Sequence, residues 1–222
     1  MKTNQELQHD VENAIKWEPL MHDAEIGVSV KNGVVSLSGT VDSYVKKMEA
    51  ENASKKVKGV KAIVEHIEVK FPSTWNKADV EVANEILEAL KVNYAVPNEL
   101  IQVKVENGWV TLEGELTWNY ERESTLSATK YLNGVKGITN HLKLKPTTHD
   151  TIEKEAVELA LKRNALQDVS QIKVAVNGTT VTLTGTVNSW YQKEEAGRIA
   201  WNTPGIWNMK NDLVVEYDFV LS

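Results

Sequence analysis

The stretch Ile26-Gly-Val-Ser-Val-Lys-Asn-Gly-Val-Val-Ser-Leu-Ser-Gly-Thr-Val41 alternates apolar and polar residues on both sides of Asn32-Gly33. Such alternation marks strands with one buried face. Asn-Gly between two alternating runs signals a tight hairpin, because both turn residues tolerate positive φ. Ile26, Val28 and Val30 point one way, and Val35, Leu37 and Val41 join them after the turn. Gly39 occupies an inward position of the second strand, where a missing side chain lets another backbone approach closely. The expectation is that a helix passes over it.

The same stretch returns twice without a gap, as Ile101–Leu116 and Ile172–Val187. Gly39, Gly114 and Gly185 align, and so do the downstream pairs Gly59-Val60, Gly134-Val135 and Gly205-Ile206. In the third copy Asn177-Gly178 sits one residue earlier, so its turn is expected to be looser or differently shaped. A fixed repeat sought before any local reading prevents the whole fold from being misread.

Outward from the hairpin, each copy has two helical patterns. Leu7, Val11, Ala14 and Ile15 lie on one helical face, as do Val82, Ile86, Ala89 and Leu90, and then Val157, Ala160 and Leu161. Asn4 and Thr151 are the expected N-caps. The second helix follows the hairpin, with Asp42 or Ser43, Thr117, and Asn188 or Ser189 as caps. Its inner face carries Ala50, Ala53 and Val57, then Thr125, Ala128 and Leu132, then Ala196, Ile199 and Thr203. The Gly-Val and Gly-Ile pairs are expected to end that helix and open a third strand. A helical crossover makes this strand parallel to the one before it.

The fold class is therefore α+β: three tandem α-β-β-α-β modules, each a three-stranded mixed sheet with two helices on one face. The expected domains are residues 1–71, 72–146 and 147–222, with Pro72 and Pro146 at the joins.

The formal charge is −6, and no module is basic, at −1, −2 and −3 in chain order. That balance argues against nucleic acid, whose phosphates need clustered Lys and Arg. There is no cysteine, which excludes disulfides and thiolate sites. No run is long and apolar enough to span a bilayer. The N-terminal residues lack the apolar core of a secretory signal, so the chain as written is expected in the cytoplasm. If Met1 merely starts a mature exported chain, the periplasm is the alternative.

No catalytic constellation emerges. His66 and His141 align, but on a polar strand face in separate modules, and no ligand cluster accompanies them. Glu113 and Glu115 fall on an outward strand face rather than in a cleft. No nucleophile elbow, zinc-protease or phosphate-loop motif is present. The expectation is no enzyme, no metal and no cofactor.

Val35-Ser-Leu-Ser-Gly39, Val110-Thr-Leu-Glu-Gly114 and Val181-Thr-Leu-Thr-Gly185, each followed by its Gly-Val or Gly-Ile pair, resemble the BON domain, whose name stands for bacterial OsmY and nodulation. The resemblance covers nearly the whole chain as three copies. It implies a non-enzymatic protein of osmotic or envelope stress that binds phospholipid membranes or other envelope components. It also implies a strand-three asparagine, met by Asn140 and Asn211, with Glu65 in the first copy; alternation makes this a buried hydrogen-bonding position.

Tryptophan is the unusual count, at 7 residues. Trp118, Trp190 and Tyr191 cluster where the second helix begins, and Tyr44, Tyr120 and Trp201 lie on or near that same helix. Amphipathic rings suit both protein interfaces and lipid headgroups. Tyr44, Trp118, Tyr120, Trp190 and Tyr191 are thus the candidate lipid- or partner-binding residues. Gly39, Gly114, Gly185, Gly59, Gly134 and Gly205 are the structural glycines. Two functions stand side by side: a phospholipid-surface binder, or a cytoplasmic scaffold that engages another protein through repeated modules.

Overall fold

The computed structural model describes residues 2–72, 77–145, 154–163, 171–203, 206 and 208–216. The expectations for Pro146, Thr151 and Gly205 lie outside these residues. The first module contains α1 (Asn4–Lys16), β1 (Ile26–Lys31), β2 (Val34–Val41), α2 (Tyr44–Lys56) and β3 (Ala62–Val69). The second contains α3 (Asp79–Val92), β4 (Ile101–Glu106), β5 (Trp109–Leu116), α4 (Asn119–Lys130) and β6 (Gly137–Leu144). The third contains α5 (Lys154–Arg163), β7 (Ile172–Asn177), β8 (Thr180–Val187), α6 (Trp190–Trp201) and β9 (Asn208–Val215).

Each module has one three-stranded sheet with the second hairpin strand in the middle. β4–β5 and β7–β8 are antiparallel, while β5–β6 and β8–β9 are parallel. The first sheet repeats the same ties. Lys61 N–H donates to the Gly33 carbonyl at 2.8 Å as Lys136 N–H does to Gly108 at 2.8 Å. The expected helical faces supply the core. Leu7, Val11 and Ile15 are buried from α1, Val82, Ile86 and Leu90 from α3, and Val157 and Leu161 from α5. They meet the inward strand residues, such as Val110, Leu112, Leu116 and Leu142 in the second module.

The chain divides into two compact units. One comprises residues 1–39, 49–67 and 148–222, and the other residues 40–48 and 68–147. Most of the first module therefore shares a unit with the third, although the second lies between them in sequence. None of the helices among the described residues is long and apolar enough to cross a membrane.

Several local expectations are corrected. The inward glycines are not crossed by a helix. Gly39, Gly114 and Gly185 have φ of +143°, +155° and +120°, and a Cβ on each would strike the carbonyl of Glu25, Leu100 or Gln171. The close neighbour is the chain entering the first hairpin strand, directly across the antiparallel pair. Gly59 and Gly134 do not end their helices directly. A further turn intervenes, with Val60 N–H donating to Val57 and Val135 N–H to Leu132, and the glycine takes up positive φ inside it.

The cap of α1 is Thr3, not Asn4. The Thr3 hydroxyl accepts from Glu6 N–H at 3.2 Å, and the Glu6 carboxylate accepts from Thr3 N–H at 2.7 Å. Asn4 is instead the first helical residue, and its side-chain Oδ1 accepts from Asn32 N–H in the hairpin turn at 3.0 Å. At α4 the cap position is held by Trp118 rather than Thr117; the Glu121 carboxylate accepts from both backbone N–H groups, at 2.9 and 3.0 Å. Ser43 and Ser189 do cap α2 and α6. Asn32 and Asn107 adopt positive φ with the glycines that follow. The third hairpin keeps a two-residue turn but places Gly178, φ +58°, first in it.

Strand-three position 140 is not buried either. Asn140 is exposed and folds back to accept from Leu142 N–H. Glu65 accepts likewise from Ile67 N–H. Only Asn211 reaches its module's helix, donating to the Lys193 carbonyl at 2.6 Å. Gly197 makes the room, since a Cβ there would lie 2.9 Å from the Asn211 amide nitrogen. The second copy has Leu126 at the aligned position.

Candidate functional site

The start of α6 places two candidate aromatics. Ser189 takes the extended cap conformation, and its hydroxyl accepts from Gln192 N–H at 3.2 Å. Trp190 and Tyr191 then occupy the first turn, both half-buried. The last turn of α2, in the same unit, meets them with cations. Lys55 Nζ lies 5.2 Å from the centre of the Trp190 ring, and Lys56 Nζ lies 5.7 Å from that of Tyr191. Both distances are within cation–π reach.

Carboxylates complete the contact. Lys55 Nζ is 2.9 Å from Glu51 and 3.0 Å from Glu194, while Lys56 Nζ is 2.8 Å from Glu18. Burial alone would pull the Lys55 pKa down, but its hydrogen bonds to Glu51 and Glu194 outweigh that and raise it above 10.5. The hydrogen bond to Glu18 raises Lys56 likewise. Both ammonium groups are charged at neutral pH. The pair of helices is thus fastened by two lysines over two rings.

In the other unit Tyr44, at the first residue of α2, packs against the core of the second module. Trp118 is half-buried, and Tyr120 is exposed on the first turn of α4. Trp109, which sequence reasoning did not single out, lies under Lys47 Nζ at 5.7 Å and covers Gly137.

No group of three His, Cys, Asp or Glu side chains able to hold a metal occurs among the described residues. His66 is exposed, and His141 faces Glu113 across the strand pair at 3.5 Å. Glu115 pairs with Lys145 at 3.1 Å on the solvent face.

A second aromatic feature emerges only in three dimensions. The connection from the first helix to the first strand carries a short 3-10 turn, Pro19–Met21 in the first module and Asn98–Leu100 in the second. One apolar residue plugs each connection into the core, Met21 and Val96, which align across the repeat. Their apolar neighbours face water. Trp17 is 85% exposed and Leu20 about half; Tyr94 is fully exposed, with Val92 and Leu100 beside it in sequence. A lysine, Lys16 or Lys91, stands in the last turn of the helix before each. Sequence periodicity missed these residues because Trp17, Leu20, Tyr94 and Leu100 lie between the α-helix and the strand, and Val92 ends α3 off its buried face. The usable signal was an aromatic next to Pro19 and Pro97 in a segment with no apolar period to absorb it.

Residues 3–70, 78–146 and 149–217 each match the BON domain, and the chain belongs to that family. Among individual proteins it is similar to osmotically-inducible protein Y of Escherichia coli (strain K12), with 29% identity over 125 residues. That match spans 54% of this chain and 62% of the relative. Two solved structures of CdsD, a structural protein of the type III secretion system of Chlamydia trachomatis, align over 94% and 97% of this chain at 18% and 19% identity. They cover 91% and 100% of those chains, each with a TM-score of 0.25, too low to carry any structural argument.

Proposed function

We propose that this chain is a non-enzymatic binding protein that attaches to phospholipid surfaces during osmotic stress. The observation that carries the reading is the exposure of Trp17 and Leu20 in the first module, and of Val92, Tyr94 and Leu100 in the second. Aromatic and aliphatic side chains projecting from a plugged connection, with a lysine behind them, suit the headgroup boundary of a bilayer. The family and the osmotically induced relative support the same reading. Of the helix-start aromatics, Tyr120 is free to join such a surface, whereas Trp190 and Tyr191 serve to hold two helices together. A net charge of −6 leaves apolar insertion as the driving force rather than attraction to anionic lipid. The surface reached is a leaflet on the cytoplasmic or the periplasmic side; cell fractionation separates the two.

The test is vesicle co-sedimentation with phosphatidylcholine and with phosphatidylglycerol-rich vesicles, at low and high salt. Binding should survive salt. Fully burying one such side chain is worth about 1.5–3 kcal/mol. Tyr94→Ser with Leu100→Ser should therefore weaken binding at least about tenfold. Failure of the wild-type chain to sediment with either vesicle would overturn the reading and leave the protein-interaction scaffold in its place.

A further inference from the structure

The third module has an opening that the second has closed. In the second module the Trp109 ring lies directly on Gly137, its partner across the β5–β6 pair. In the third module the aligned pair is Thr180 and Asn208. Neither Thr180 nor Asn208 carries a ring, and a cavity of about 610 Å³ opens beside them. Trp201, Met209, Asn177, Thr180, Thr182, Asn208 and Lys210 line it. Trp201 closes α6, is half-buried and packs against the module core.

We propose that this cleft binds a pyranose ring of a glycan. The chemistry of the lining selects that class. An indole face accepts the axial C–H edge of a sugar, which is apolar and slightly positive. Two carboxamides and two hydroxyls supply both donors and acceptors, which match vicinal sugar hydroxyls. Among the described lining residues Lys210 alone is cationic, which is little for a phosphate, and an apolar ligand would make no use of the amides. A few convergent polar groups beside one aromatic wall define such a site. Its lining shares no residue with the exposed helix-to-strand connections.

The second module supplies its own control. Thr180→Trp combined with Asn208→Gly rebuilds the Trp109–Gly137 stack inside the third module, an arrangement that the same fold already tolerates. The full chain, labelled with nitrogen-15, would be titrated with chitotriose and with maltotriose, and with glycerol as a simple polyol. The expected result is saturable amide shifts at Thr180, Thr182, Asn208 and Lys210 with at least one trisaccharide. In the double variant the shifts should disappear, while the melting temperature stays at or above that of wild type. Asn177→Ala, on an exposed strand end, should weaken binding about tenfold and leave folding intact. Absence of saturable shifts with both trisaccharides, equal shifts with glycerol, or binding unchanged in a folded double variant would each overturn the proposal.

Discussion

An alanine at Gly114 would carry its Cβ into the Leu100 carbonyl and would have to hold φ at +155°. Neither the carbonyl nor the strand can yield without breaking the β4–β5 register. Gly114→Ala should therefore cost about 2 kcal/mol or more, read as a lowered urea midpoint. Gly178 is the contrast: φ is +58° but a Cβ there would meet nothing within 4 Å. Gly178→Asn should cost under about 1 kcal/mol, since Asn visits the left-handed region readily. Sequence alone marked the three inward glycines, because a gap in strict alternation is visible. It misassigned their neighbour, because what approaches them is the backbone before the first strand, and a carbonyl leaves no trace in side-chain pattern. Lys55 was harder still. On a helix with mixed composition a lysine reads as solvated, whereas Lys55 is nearly buried, beside Trp190 and Glu194 of α6.

Helix starts were legible as a zone rather than to the residue. Thr3 and Asn4 are both good caps by composition, and the extended backbone of Thr3 with its Glu6 return bond decides between them. The position left to Asn4 repeats across modules. Asp79, first residue of α3, accepts from Asn107 N–H at 2.7 Å and Gly108 N–H at 2.9 Å. One side chain thus ties each first helix to its hairpin turn, 28 residues away in both modules. Asp79→Ala should destabilise the protein by about 1–2 kcal/mol, since two charge-assisted bonds to turn amides are lost, one of them partly buried. A thermal melt checks the size. Hydrogen exchange at Asn107 and Gly108 should rise more than at the strand centres. The inner face of the second helix was largely readable from its small residues. Ser54, Thr125 and Thr129 are buried there because each hydroxyl donates to the carbonyl four residues earlier.

Across the whole molecule, tandem organisation and α+β class were open to sequence, since three in-register copies overrule local ambiguity. The discontinuous unit was not, because nothing in the repeat says which modules associate. Lys55 is the residue on which that association is most visible. Its contribution belongs to the charged form, so it is fully present below pH 10.5 and fades as pH climbs through the raised folded value. Lys55→Met should lower stability by about 1–2 kcal/mol at neutral pH, mostly through the lost contact with Trp190, because Glu51 and Glu194 remain partly solvated. Melting curves of wild type and variant should converge in strongly alkaline buffer. Glu194→Gln should cost less than the lysine change.

The Lys55–Glu194 bond joins positions 139 apart in the chain, and this has a consequence during synthesis. A ribosome emits about 5–20 residues each second. The unit of residues 40–48 and 68–147 is complete once residue 147 has emerged, whereas the other must wait for the last module. Until then α2 holds its buried lysine without the cover it has in the finished protein. A nascent chain stalled at residue 147 should show rapid amide exchange in the last turn of α2, and that exchange should slow only when the final 75 residues are released.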